Sequence, residues 1–327
     1  MGLTELAFQN LLSPMVLFFV VGLAAALARS DLTVPEAVAK LLSLYLLMSI
    51  GFRGGVEVAH HGISRELIAA ICAGVLLSYF TPMLAYVLLT RVSRLSPVDA
   101  AAVAGHYGSI SAVTFAAVSG ALNLMSLPFA GYMVAVAAAM ETPAILSALQ
   151  LARPHRKTEI GDGQSVWREV LLNGSVVTLL GAFLVGMITG GKGLATVKPF
   201  LVDLFPGFLC VFLLDMGLIA GRGLQHGRKY LNLPLCSFAV LMPLIGASLG
   251  ALLARAIGLT AGSAAVLMTL AASASYIAVP AALRLALPEA NAAIPLTLSL
   301  GITFPFNLLV GIPLYIGAAT MLAGTAK

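Results

Sequence analysis

Apolar runs too long for a soluble core recur from one end of this sequence to the other. Residues 66–90 (ELIAAICAGVLLSYFTPMLAYVLLT) hold one charge, and residues 233–254 hold none. About 20 apolar residues in helical conformation cross the hydrocarbon of a bilayer, and a barrel strand needs only about half that number. The chain has 327 residues, of which 18 are Lys or Arg and 13 are Asp or Glu. Charged residues make up 9% and the mean hydropathy is +1.02. So little charge cannot cover a soluble surface. These features imply an all-α polytopic membrane protein. They exclude a nucleic-acid-binding protein, because a net charge of +5 spread over separate loops makes no basic stripe. Cys72, Cys210 and Cys236 all lie in apolar segments and read as buried small hydrophobes, not as a disulfide framework.

Ten spans are predicted, at 14–29, 35–51, 66–90, 98–120, 127–152, 167–189, 198–220, 231–257, 260–285 and 292–321. The first is preceded by an amphipathic start, Thr4–Leu12, which extends it or lies in the interface. No basic region precedes it and no cleavage signal follows, so it does not read as a signal peptide. Loops after odd-numbered spans carry eleven Lys and Arg, from Arg29 to Arg284. Loops after even-numbered spans and the tail carry six, including Arg53, Lys192 and Lys198. The positive-inside rule then places the odd loops in the cytoplasm and both termini outside. The expected location is the plasma membrane of a bacterium. Residues 153–166, beginning Arg153-Pro-His-Arg-Lys, form a hydrophilic linker. It separates a first five-span half, 1–152, from a second, 167–327.

The two halves repeat. Gly51 and Gly217 close the second and seventh spans in similar settings. Tyr107 and Tyr276 lie in the fourth and ninth, and Pro143 and Pro305 in the fifth and tenth. The order is the same and the offsets are similar, which predicts a duplication. Five spans is an odd number, so the second half is inverted, as in many secondary transporters. In such folds the substrate sits near the midplane between interrupted helices. The fourth and ninth spans are the natural crossing pair. The fourth carries His106, Ser109, Ser111 and Thr114; the ninth carries Ser273, Ser275 and Tyr276, followed by Pro280. Proline removes a backbone donor and frees a carbonyl one turn back. Small-residue stripes also serve close helix packing.

Ionisable residues in apolar runs are functional candidates. Asp215 could pair with an arginine, bind a proton or supply a carboxylate to a cation. Glu141 could be cation- or proton-linked, or a structural partner of Arg53 or His106. His106 adjoins the hydroxyl stripe and is a candidate proton site. Arg53 and Arg284 read as snorkelling residues. His60 and His61 read as an outer loop without a third metal ligand, so no metal site is expected. Enzymatic motifs such as G-x-S-x-G, H-E-x-x-H and the P-loop are absent from the sequence, and no catalytic residue is assigned.

Five segments in order resemble the SbtA-type sodium-dependent bicarbonate permease family. They are Leu32-Thr-Val-Pro35 with Leu46 to Gly55, Ala138 to Ala144, Leu283-Arg284 through Asn291, and Gly311 to Gly317. The resemblance implies two inverted five-helix repeats, discontinuous fourth and ninth helices, an elevator motion of a core against a scaffold, and a homotrimer. It also implies a PII-like regulator on the cytoplasmic side for some members. It places bicarbonate and Na+ at the crossing. Ser109, Ser111, Ala112, Val113, Thr114, Ser275, Tyr276, Ile277 and Ala278 become the substrate set. Ser111, Thr114, Ser273, Ser275, Glu141, Asp215 and His106 become the coupling-ion set. The family pattern at the ninth helix reads close to S-S-S-D-I-S-G-P; here Tyr276 stands at the acidic position, and Ala278 and Val279 replace two small or polar residues. Na+ favours oxygen ligands with a carboxylate among them, so the departure predicts anion transport without the family's sodium site. Three readings stay open: a bicarbonate transporter, a proton-coupled or uncoupled transporter of another small anion, and a non-transporting membrane sensor or degenerate permease.

Overall fold

The computed structural model describes residues 12–61, 64–155, 174–227, 231–276, 279–280, 282–283 and 287–324. The helices are α1 (Pro14–Leu27), α2 (Glu36–His61), α3 (Arg65–Val92), α4 (Pro97–Gly108), α5 (Ala112–Leu124), α6 (Met133–Ala139) and α7 (Glu141–Ala152). They continue with α8 (Gly174–Lys198), α9 (Phe205–Gly227), α10 (Leu233–Ile257), α11 (Ala261–Ala272), α12 (Ala293–Leu298), α13 (Phe304–Phe306) and α14 (Ile312–Gly324). Seven helical stretches are long and apolar enough to cross a membrane among the described residues. One of them, Val177–Gln225, covers α8 and α9 together, whereas Pro14–Leu27 and Ala261–Ala272 are shorter. Large apolar side chains such as Ile68, Leu76, Phe80, Leu184, Ile188, Leu241 and Leu252 face outward. An outer surface of this kind is solvated by lipid, and the protein is an integral membrane protein with an all-helical fold.

Two helix pairs form a close-packed layer, α2 against α8 and α1 against α9. Glycine makes both contacts possible. A Cβ on Gly55 would lie 1.9 Å from the Phe183 carbonyl oxygen, and one on Gly186 would lie 2.1 Å from that of Phe52. On the other pair, a Cβ on Gly22 would meet the Leu214 oxygen at 2.0 Å, and one on Gly217 the Phe19 oxygen at 2.1 Å. Backbone meets backbone, the packing mode that dominates where apolar surface gains nothing by leaving lipid. This packing carries α2 through its glycines to His61, ten residues beyond the predicted end. His60 therefore sits on a helix, not in a loop; the His61 side chain lies outside the described residues. The first part of α8 ends in a kink at Gly190, whose φ of +56° is not helical, and a second helical stretch continues to Lys198, so Lys192 is helical as well.

The second group, α3–α7 with α10–α14, contains most of the breaks, and the first has its own at Gly190 and Pro199. In lipid, backbone groups freed by a break need internal partners, and here side chains from neighbouring helices supply them. Pro143 has no N–H, and the fifth span divides into α6 and α7 at Met140. Ser78 of α3 donates to the Met140 carbonyl and accepts from the Ala144 N–H at 3.1 Å. Pro199 opens a π-turn (Pro199–Asp203), and the Tyr45 and Ser49 hydroxyls of α2 donate to the carbonyls of Phe200 and Leu201. Two further π-turns, Ser299–Thr303 and Asn307–Gly311, flank α13. Of the cysteines, Cys72 is exposed on α3, and Cys210 and Cys236 are half-buried and free. The expectation that all three are buried is corrected: α3 turns Cys72 to its outer face.

Candidate functional site

The fourth span breaks at Ser109–Ser111 and the ninth at Ser273–Ser275, and the two breaks lie against each other. Local chemistry explains both. Ser111 has extended backbone, and its side chain accepts from the Thr114 N–H at 3.1 Å, which caps α5. Ser273, also extended, ends α11 and donates its hydroxyl to the Leu270 carbonyl at 2.8 Å. Serine competes in this way with the regular helical ladder.

Reciprocal bonds clasp the two breaks. The Ser111 N–H donates to Ser273 Oγ at 3.0 Å. The Ser275 N–H donates to the His106 carbonyl at 2.8 Å. His106 Nδ1 lies 2.6 Å from the Ser275 carbonyl oxygen; a carbonyl only accepts, so Nδ1 carries the proton. His106 is thus an anchor of the crossing, with its ring nitrogen committed to backbone. Ser109 donates to Glu141 Oε2 at 2.8 Å. That bond corrects the expectation that Glu141 partners Arg53 or His106: the start of α7 delivers Glu141 to the serine at the end of α4.

Around this clasp lies a network that the sequence reading passed over. Thr303 donates to the Ala239 carbonyl at 2.7 Å, so the Tyr107 hydroxyl, 2.6 Å away, is the donor to Thr303. Asn307 donates to the Ala272 carbonyl at 2.8 Å and accepts from the Tyr315 hydroxyl at 2.9 Å. An asparagine inside an otherwise apolar run was the available signal.

Two kinds of polar group remain unspent. Among the described residues, no hydrogen bond occupies the N–H groups of Ala112 and Val113, the first two positions of α5. The first N–H groups of a helix have no intrahelical acceptor, and the helix dipole adds positive potential there. The buried Tyr276 hydroxyl makes no hydrogen bond of normal geometry among the described residues, and its side chain interacts with that of Ser111, the residue before α5. The Tyr276 ring is held edge-on against Phe304, with centroids 5.9 Å apart. N–H groups at a helix start and a hydroxyl that interacts with the N-cap serine are the kinds of donor that suit a small oxyanion.

The structure therefore gathers Ser109, Ser111, Ala112, Val113, Thr114, Ser273, Ser275, Tyr276, His106 and Glu141 into one region. Ile277 and Ala278 lie outside the described residues. The break at Ser273 is seven positions before Pro280, so serine capping, not a proline-freed carbonyl, interrupts the helix. Asp215 is elsewhere. It lies buried in α9 with Arg222 as an electrostatic neighbour, and its Oδ2 has no hydrogen-bond partner among the described residues. No hydrogen bond among the described residues joins it to the crossing. Also among the described residues, no three His, Cys, Asp or Glu side chains cluster as a metal site.

No curated protein matches this sequence. The profile of the Na+-dependent bicarbonate transporter superfamily matches residues 14–320. That range holds both breaks, the clasp between them and the glycine-packed layer. By this match, a transporter family covering nearly its whole length and not an enzyme family, the chain belongs to the Na+-dependent bicarbonate transporter superfamily.

Proposed function

We infer that this protein is a secondary transporter of a small inorganic anion, with bicarbonate as the first substrate to test. The observation that carries the reading is the pairing of unspent donors at the crossing: the Ala112 and Val113 N–H groups at the start of α5 and the buried Tyr276 hydroxyl. Ser111 and Thr114 complete the donor set, and the anion replaces its water shell with them.

The contact pattern supports ten spans in two inverted repeats, 1–152 and 167–327, joined by the 153–166 linker. The first span packs on the seventh and the second on the sixth, a pairing that maps onto itself when the halves are exchanged. The third packs on the first part of the fourth, as the eighth packs on the first part of the ninth. In this reading the layer α1, α2, α8 and α9 is the scaffold. The group with the crossing is the carrier, and it moves as an elevator with both termini outside. A homotrimer would cover part of the outward apolar faces and lipid the rest. The 153–166 linker, a short surface for a PII-like regulator, lies mostly outside the described residues.

Sodium coupling of the family type is not part of the proposal. Sodium is a hard cation that favours a carboxylate in its shell. Glu141 is the carboxylate tied to the crossing, and one of its oxygens already accepts from Ser109. Proton coupling through Glu141, or no coupling, fits this arrangement better.

Uptake of labelled bicarbonate into proteoliposomes tests the proposal. Equal uptake in sodium and choline media is expected. Uptake that collapses without sodium would reject the coupling assignment. Binding without uptake of any small inorganic anion would replace the transporter by the sensor reading. Tyr276→Asp restores an acid at this position and is expected to introduce sodium dependence; unchanged behaviour would show that position 276 is not the cation ligand.

A further inference from the structure

A cavity of about 350 Å³ opens away from the crossing between α2, α5, the loop before α6 and the end of α8. Its size falls within the range of about 300–1,000 Å³ typical of small-molecule sites and far exceeds the need of one small inorganic anion. Its inner wall is apolar and buried, with Ile50, Val134 and Phe205. The polar groups are arranged unevenly. Lys198 on the rim is bound to Asp203 at 2.6 Å, both exposed, so that pair closes on itself. Arg53 is half-buried and interacts electrostatically with Glu57 one turn later on the same face of α2. Ser119 of α5 also lines the cavity, and its hydroxyl is buried without a hydrogen-bond partner among the described residues. A serine inside a helix normally donates to the carbonyl one turn back; this one keeps its capacity beside the cavity.

Charge sign decides what fits. A plain anion is attracted by Arg53 and repelled by Glu57, and a plain cation meets the reverse. Residues four apart on a helix present their side chains about 5–6 Å from each other. A molecule with a carboxylate and an ammonium on one carbon satisfies both groups at once. The apolar wall then takes an apolar substituent, and burying it adds affinity in proportion to its area.

We propose that this cavity is a binding site for an apolar α-amino acid. The carboxylate sits on Arg53 and the Ser119 hydroxyl, the ammonium on Glu57, and the side chain against Ile50, Val134 and Phe205. The site is independent of the anion assigned to the crossing. It joins α2 and α8 to α5 and α6, so its occupant bridges the two helix groups.

Saturation-transfer NMR and thermal-shift titration of the full-length protein in nanodiscs test the assignment without any transport assay. The probes are L-leucine, 4-methylpentanoate, which lacks the ammonium, and isopentylamine, which lacks the carboxylate. Leucine is expected to bind saturably, and each of the other two at least tenfold more weakly. Arg53→Gln and Ser119→Ala are each expected to weaken leucine binding several-fold, while Tyr276→Phe leaves it unchanged. Glu57→Gln should weaken leucine but not 4-methylpentanoate. The assignment is overturned if leucine shows no saturable binding, if 4-methylpentanoate binds as tightly, or if Ser119→Ala and Glu57→Gln both retain wild-type affinity for leucine. Glu57 and Ser119 are mild substitutions, so the proposal stays testable even if Arg53→Gln fails to fold.

Discussion

The hydroxyl of Tyr276 is buried beside Phe304 with no hydrogen-bond partner among the described residues. An unsatisfied buried polar group costs about 1–3 kcal/mol, and a hydrogen bond to a charged partner contributes about 1.5–3 kcal/mol. Tyr276→Phe removes the oxygen and keeps the ring contact. Two effects of opposite sign are therefore expected. The ligand-free protein should unfold at the same temperature or a higher one, and the half-saturating bicarbonate concentration should rise about tenfold or more. Thermal unfolding without substrate and initial uptake rates measure the two. A loss of both stability and affinity would mark Tyr276 as a packing residue. Glu141 answers to a different rule, because its partner is known. Glu141→Ala leaves the Ser109 hydroxyl without its acceptor, whereas Glu141→Gln keeps an oxygen there. Glutamine is expected to preserve the fold and to remove any dependence of uptake on a proton gradient. If Glu141→Gln transports with an unchanged response to that gradient, Glu141 has only a structural role.

Helix packing explains both what the sequence disclosed about the elements and what it concealed. The apolar runs marked the chain as helical and membrane-spanning, and seven helical stretches among the described residues are long and apolar enough to cross a bilayer where ten spans were predicted. Their ends were less legible. Gly51, Gly54 and Gly55 read as a stop after residue 51, since glycine is a poor helix former by about 1 kcal/mol. In fact they are the surface on which α8 and the segment around Gly131 approach. Contact with another element, invisible along a single chain, overrides the local preference. The breaks were legible for the opposite reason, because Ser109–Ser111 and Ser273–Ser275 carry their capping chemistry locally. Their partners were not, since Asn307 and Thr303 reach the site from a distant helix through π-turns that no short pattern announces. The packing glycines give an element-scale test. Gly55→Ala puts a Cβ 1.9 Å from the Phe183 oxygen, and overpacking of this kind costs about 1–3 kcal/mol. A clear fall in the unfolding midpoint is expected. Gly223→Ala, with nothing within 4 Å of the new methyl, should not lower it. Equal behaviour of the two variants would mean that α2 and α8 are not in backbone contact.

At the scale of the whole molecule, the two helix groups differ in how they are held. Within the scaffold layer backbone meets backbone, and a shift of one helix would drive oxygens into the space that glycine leaves. Between the groups, backbone comes close where Gly54 of α2 faces Gly131, a Cβ on Gly54 lying 2.8 Å from the Gly131 oxygen, and other contacts are made by side chains that can exchange neighbours. Phe19 of α1 meets Phe304 of α13 edge-on, with centroids 5.5 Å apart. Tyr45 of α2 meets Phe208 of α9 inside the scaffold, with centroids 4.3 Å apart. An elevator requires the first contact to break in each cycle and leaves the second intact. Cross-linking separates the two cases in a background where Cys72, Cys210 and Cys236 are replaced. Phe19→Cys with Phe304→Cys, joined by a short bifunctional thiol reagent, should stop uptake, and a cleavable reagent should let reductant restore it. Tyr45→Cys with Phe208→Cys, joined in the same way, should leave uptake near its unlinked rate. Each pair is compared with its own unlinked form, so any effect of the substitutions on the site cancels. Uptake that survives the first cross-link would mean that the anion crosses without displacement of the crossing relative to α1, and a fixed channel-like path would replace the elevator.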